Sequence, residues 1–101
     1  MHMLIIFDCD ADIIDVPEEI VMKRLSIRKE FLKWIYNKKS KHKYWEKYVR
    51  SSGEEVLCLN YRSDALVEWL NRYKLKSHQE QASIIKQYVS AETDALPRIE
   101  F

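Results

Sequence analysis

The sequence predicts an α/β fold, with a small sheet of about three strands and three to four helices packed on it, in one domain over residues 1–101. Short continuous runs of branched apolar residues alternate with longer stretches whose apolar residues recur at helical spacing. One Gly and two Pro in the whole chain leave few tight turns and favour helices. A hydrophobic share of 47% suffices for one core and is too high for a disordered chain.

Met3–Phe7 is a continuous apolar run and reads as a strand buried on both faces. Asp8–Asp15 reads as a polar loop with an Ile13-Ile14 plug. Pro17 suits the first turn of a helix, with Asp15 as its cap and Glu18 and Glu19 at the positive end of the dipole. That helix carries an apolar stripe through Ile20/Val21, Leu25, Ile27, Phe31/Leu32 and Trp34/Ile35, and is expected to reach about Asn37. Lys38–Lys43 is a solvated break, and Tyr44–Val49 adds a further helical turn or two. Ser51-Ser52-Gly53 is a loop, and Val56–Leu59 is a second strand. Ser63 caps a helix with the stripe Leu66, Trp69/Leu70 and Tyr73. The spacing Ser77-x-x-Glu80 is a capping box, predicting a last helix that buries Ala82, Ile84/Ile85 and Tyr88/Val89. Leu96–Phe101 closes the chain as a strand that Pro97 confines to an edge. If the first two strands are neighbours, their helical connection makes them a parallel pair.

Charge is distributed unevenly. Residues 1–22 carry six acids and no Lys or Arg, whereas residues 23–50 carry eleven bases against Glu30 and Glu46. The rest carries six bases and eight acids, so a net charge of +1 conceals a dipolar chain. Such a layout bears on partners rather than on fold. No secretory signal and no apolar segment of about 20 residues is visible, so no membrane span is expected. Cys9 and Cys58 are far apart and outside any CxxC pattern, which predicts free thiols in a cytoplasmic protein.

Ile5-Ile6-Phe7-Asp8-Cys9-Asp10 resembles the first motif of the haloacid dehalogenase-like phosphatases, in which a hydrophobic strand ends in Asp-x-Asp. The resemblance implies Asp8 as nucleophile and Asp10 as general acid/base, with a magnesium ion between phosphate and carboxylates. It covers Leu4 to Asp15. Ala11 stands where that family has Gly, and Asp12 where it has Thr or Val. The second strand ends in Asn60-Tyr61 rather than Ser or Thr, and no later pair of acids completes the metal site. The expectation is no enzymatic activity and no cofactor, with a degenerate fragment of that family as one alternative. Asp8-x-Asp10-x-Asp12 with Glu19 also matches calcium-loop spacing, but Ile13 replaces the turn Gly and Pro17 interrupts the loop. His2, His42 and His78 are scattered and read as surface residues rather than zinc ligands.

Between residues 33 and 50, bases interleave with rings. Lys38, Lys39, Lys41, Lys43, Trp45 and Lys47 form a candidate nucleic-acid surface, since lysines neutralise phosphates and flat rings stack on bases. Against it, the segment uses Lys far more than Arg, and Trp34 falls on the apolar stripe. The preferred expectation is an inhibitor or immunity-type protein that engages a partner with a basic surface through Asp10, Asp12, Asp15, Glu18 and Glu19. Nucleic-acid binding through the basic segment is the alternative.

Overall fold

A computed structural model describes residues 1–8, 10–90 and 95–101; the expectation of a free thiol at Cys9 lies outside them. The elements, in chain order, are β1 (His2–Phe7), β2 (Asp10–Asp15), α1 (Glu18–Met22), α2 (Arg24–Ile35), β3 (Trp45–Val49) and β4 (Glu55–Leu59). Then come α3 (Ser63–Trp69), prolonged by a π-helical turn over Leu70–Lys74, β5 (Ser83–Ser90) and β6 (Arg98–Glu100). The fold is mixed α/β, with six strands in two sheets and three α-helices among the described residues.

The larger sheet has the order β5-β2-β1-β6. β1 and β2 are antiparallel, with Met3 opposite Ile14, Ile5 opposite Asp12 and Phe7 opposite Asp10. The segment expected as an acidic loop is therefore a strand. Its acids belong to a period-2 pattern in which Asp10, Asp12 and Ile14 face one way and Ala11 and Ile13 the other. β6 runs parallel to β1 at the sheet edge, where Pro97 needs no ladder donor and its carbonyl accepts from Leu4 N–H at 2.9 Å. Met3–Phe7 and Val56–Leu59 are not neighbours, so the parallel pair considered for that case does not arise; β4 pairs with β3 in a separate two-stranded sheet.

Two segments expected as helices are strands. Tyr44–Val49 largely forms β3, antiparallel to β4, and Gly53 at φ +86° turns the hairpin between them. Ile84/Ile85 and Tyr88/Val89 imitate helical spacing, but they lie on β5, whose register against β2 shifts twice. Each bulge inserts an extra residue, so apolar neighbours come in pairs instead of alternating. The β-branched residues suit a strand once β2 is available as a partner.

The long helix breaks at Lys23, which leaves helical dihedrals at φ −103° and ψ 16°. Arg24 caps the break by donating to the Val21 carbonyl at 2.9 Å. Its buried residues are Ile20, Val21, Ile27, Phe31 and Ile35, while Leu25 of the expected stripe is 79% exposed. Asp15 does not cap α1; it pairs with the N-terminal ammonium at 3.2 Å. Leu66 and Trp69 of α3 and Leu70 of the π turn are buried as expected, whereas Tyr73 is exposed where that turn rotates the chain.

The helices cover one face of the large sheet. Phe31 is fully buried there among Trp34, Tyr61, Trp69 and Phe101, at ring separations of 6.0, 5.6, 5.7 and 5.6 Å. Burying such a ring contributes about 1.5–3 kcal/mol. The opposite face holds Leu4, Ile6 and Ala11, against which Ile13, Val89 and Leu96 pack. Asn71 fastens the lead-in to β5 by bonding both backbone groups of Ala82, at 2.7 and 2.9 Å. No helix among the described residues is long and apolar enough to cross a membrane.

Candidate functional site

The site is organised around Arg62, which follows β4 and sits at the head of α3. Its Nη2 donates to Asp10 Oδ1 at 3.0 Å and to Asp12 Oδ1 at 3.1 Å. Its guanidinium lies 5.0 Å from the Phe7 ring centre and 4.5 Å from that of Tyr88. Two carboxylates and two rings thus fix one planar cation in position. Its Nε is buried without a hydrogen-bond partner among the described residues.

Asp12 is fully buried on the helix-covered face. Ser63 Oγ and Tyr88 N–H, the latter at 3.1 Å, add their donors to that of Arg62. Burial pushes the Asp12 carboxyl up, but the Ser63, Tyr88 and Arg62 hydrogen bonds and the Arg62 charge outweigh it and hold the group below the usual 3.8. Ser63 is therefore not the expected helix cap, because its hydroxyl serves Asp12. The Tyr88 bond has a further consequence. Tyr88 sits at φ +58°, which costs a bulky residue about 1–2 kcal/mol, and Asp12 holds it there.

A cleft of about 410 Å³ opens beside this cluster. Arg62, Tyr61 and Asn60 line it from the start of α3, and Gln87 and Tyr88 from β5. Lys43, Tyr44 and Glu46 close it from the basic segment. Tyr44 is buried and donates its hydroxyl to Glu68; burial and that carboxylate push its ionisation well above the usual 10.0.

His42 folds the basic segment back onto α2. Its Nε2–H donates to the Ile35 carbonyl at 2.9 Å, while Nδ1 accepts from Tyr44 N–H at 3.1 Å. These two bonds require the neutral imidazole and satisfy a carbonyl at the helix end. The ring also lies 4.7 Å from Trp34 and stacks on Trp45 at 6.1 Å. His42 is thus half-buried structural glue rather than the expected surface residue.

The acidic residues named from sequence are dispersed. Asp10 and Asp12 meet at Arg62, Asp15 pairs with the N-terminus, Glu19 pairs with His78, and Glu18 is exposed. The buried Asp12 carboxylate has no surface to offer a partner. Lys38, Lys39, Lys41, Lys43 and Lys47 are all exposed, and none is in an ion pair among the described residues. Trp45 is half-buried, its indole N–H directed to the Asn37 carbonyl at 3.4 Å.

Asp8 is exposed at φ +52°, where the chain turns back into β2. A phosphatase-like centre needs a strand leading into a helix-flanked loop, whereas this strand leads into an antiparallel hairpin. Asp10 is already bound to Arg62. The calcium-like spacing is likewise drawn out along β2, and no group of three His, Cys, Asp or Glu converges on a metal position among the described residues.

Sequence reasoning missed Arg62, Tyr61 and Tyr88. One signal was available for Arg62: two acids alternating with Ala11 and Ile13 on a strand need a distant cation, and Arg62 stands beside a helix start. No protein-family model, curated protein or solved structure matches the chain.

Proposed function

We propose that this is a non-catalytic cytoplasmic protein that binds single-stranded nucleic acid along the basic segment 38–50. One observation carries the reading. Asp10, Asp12, Asp15 and Glu19 are engaged within the fold by Arg62, the N-terminal ammonium and His78, while Lys38, Lys39, Lys41, Lys43 and Lys47 remain exposed outside any ion pair among the described residues. Five ammonium groups outside any ion pair among the described residues, on a segment pinned by His42 and Trp45, form a track for a phosphate backbone. Nearby exposed rings, Tyr48 at 48% and Tyr88 at 66%, suit unpaired bases better than a duplex.

The test is fluorescence anisotropy with a single strand of roughly a dozen nucleotides. If each of the five lysines neutralises one phosphate, log K falls with log salt at a slope of about −3.5. Replacing Lys38, Lys39, Lys41 and Lys43 by Gln flattens that slope by about 2.8. Wild-type protein that shows no salt-dependent binding refutes the reading.

A second reading keeps the inhibitor or immunity-type role. It rests on Asp8 and Glu18, which are exposed outside any ion pair among the described residues, with Asp10, Asp15 and Glu19 half exposed beside their partners. On that reading the four-lysine variant still captures a basic protein, and neutralising Asp15, Glu18 and Glu19 abolishes capture.

A further inference from the structure

The cleft beside Arg62 contains more than a phosphate track requires. Tyr88 is 66% exposed on its wall, yet it is held rigidly by the Asp12 bond to its N–H and by Arg62 behind its ring. A pre-positioned exposed ring loses little freedom when another flat ring stacks on it. The charges around the cleft do not favour an anion. They do not cancel but lean negative: Arg62 is shared by Asp10 and Asp12, which leaves Lys43 against Glu46 and Asp64. Such a lining suits an uncharged polar ring and offers a phosphate little. Asn60 and Gln87 add amide groups that both donate and accept, as a base edge requires. At about 410 Å³ the space lies within the usual range for small-ligand sites, about 300–1,000 Å³.

We infer that this cleft takes one unpaired nucleobase, stacked on Tyr88 with its edge toward Asn60 and Gln87, while its phosphates run along the lysines of segment 38–50. The inference rests on the nucleic-acid reading above and adds the place where a base is held.

The test compares a labelled single strand with an abasic strand of the same length, which keeps every phosphate and has no rings. Wild-type protein binds the base-bearing strand about fivefold or more tightly than the abasic one. Tyr88→Gly removes the ring at a position glycine adopts without strain; it abolishes that preference and leaves the salt slope unchanged. Tyr88→Phe retains the preference. Equal binding of both strands by the wild type overturns the inference without needing any variant to fold, and leaves the phosphate track standing. Full retention of the preference in Tyr88→Gly also overturns it, including the case in which the cleft serves a peptide. Wild-type protein that binds neither strand overturns both this inference and the reading beneath it.

Discussion

Replacing Asp12 by Ala is the most informative test of how this fold is held together. Asp12 is fully buried and receives Ser63 Oγ, Tyr88 N–H and Arg62 Nη2. Without the carboxylate, the buried Ser63 hydroxyl and the Tyr88 N–H each lose their acceptor, at about 1–2 kcal/mol apiece. Arg62 keeps Asp10 and is 28% exposed, so its loss is smaller, about 1 kcal/mol. The total is about 3–5 kcal/mol, which agrees with the cost of removing one partner from a buried ion pair. A domain of this size has about 5–15 kcal/mol in all, so the variant lies near the limit of folding. With a urea slope of about 1.5 kcal/mol/M, the unfolding midpoint falls by about 2–3 M. The assay is urea unfolding at neutral pH, followed by tryptophan fluorescence, because Trp69 is buried. A loss of less than about 1 kcal/mol would refute the placement of Asp12 as organiser of the site. Asp12→Asn separates charge from shape. The folded carboxyl ionises below its usual 3.8, so its stabilisation is complete above that range. It is lost as pH falls through 3.8 toward the lower folded value. The Asn variant therefore loses stability less steeply in that acid range than the wild type does.

Gly53→Ala destabilises the β3–β4 hairpin by about 1–2 kcal/mol purely through its φ of +86°, since an added Cβ meets nothing within 4 Å. Faster amide exchange confined to β3 and β4 is the readout. Asn71→Ala orphans both backbone groups of Ala82 and costs about 1–3 kcal/mol, whereas Asn71→Asp, which keeps only the acceptor, recovers part of it in the same urea experiment. Burial, followed by the neighbouring Tyr36 hydroxyl, pushes Tyr61 up to about 12. Because the folded value exceeds the unfolded 10.0, this contribution is complete below pH 10 and vanishes as pH rises toward 12. Ultraviolet titration should then show Tyr61 and Tyr44 still protonated well past pH 10; a tyrosinate signal already complete near pH 10 would contradict it.

Local patterns in the chain were enough to place β1, β4, β6, the helical stretch from Glu18 to Ile35 and the start of α3, because each carries its own signal: a branched run, an apolar stripe, a Pro at an edge. The errors share a cause. β2 looked like a loop because Asp10 and Asp12 are costly in a sheet until Arg62 arrives from fifty residues away. β5 looked like a helix because its two register shifts disguise strand alternation. β3 lacked a visible reason to be a strand until β4 lay beside it.

The candidate site divides along the same line. The basic segment could be read directly, since exposed lysines declare themselves in a polar stretch with few acids. The cleft could not, because Lys43, Arg62 and Tyr88 come from three separate parts of the chain. The amino-acid order alone determined which stretches are apolar, where charge accumulates and where the backbone must turn, since these depend on near neighbours. Only the tertiary structure decided which charges survive. Ion pairing depends on distance in space, and folding brought Asp10, Asp12 and Asp15 of β2 and Glu19 of α1 to Arg62, the N-terminus and His78 while leaving the lysines of the middle segment to solvent.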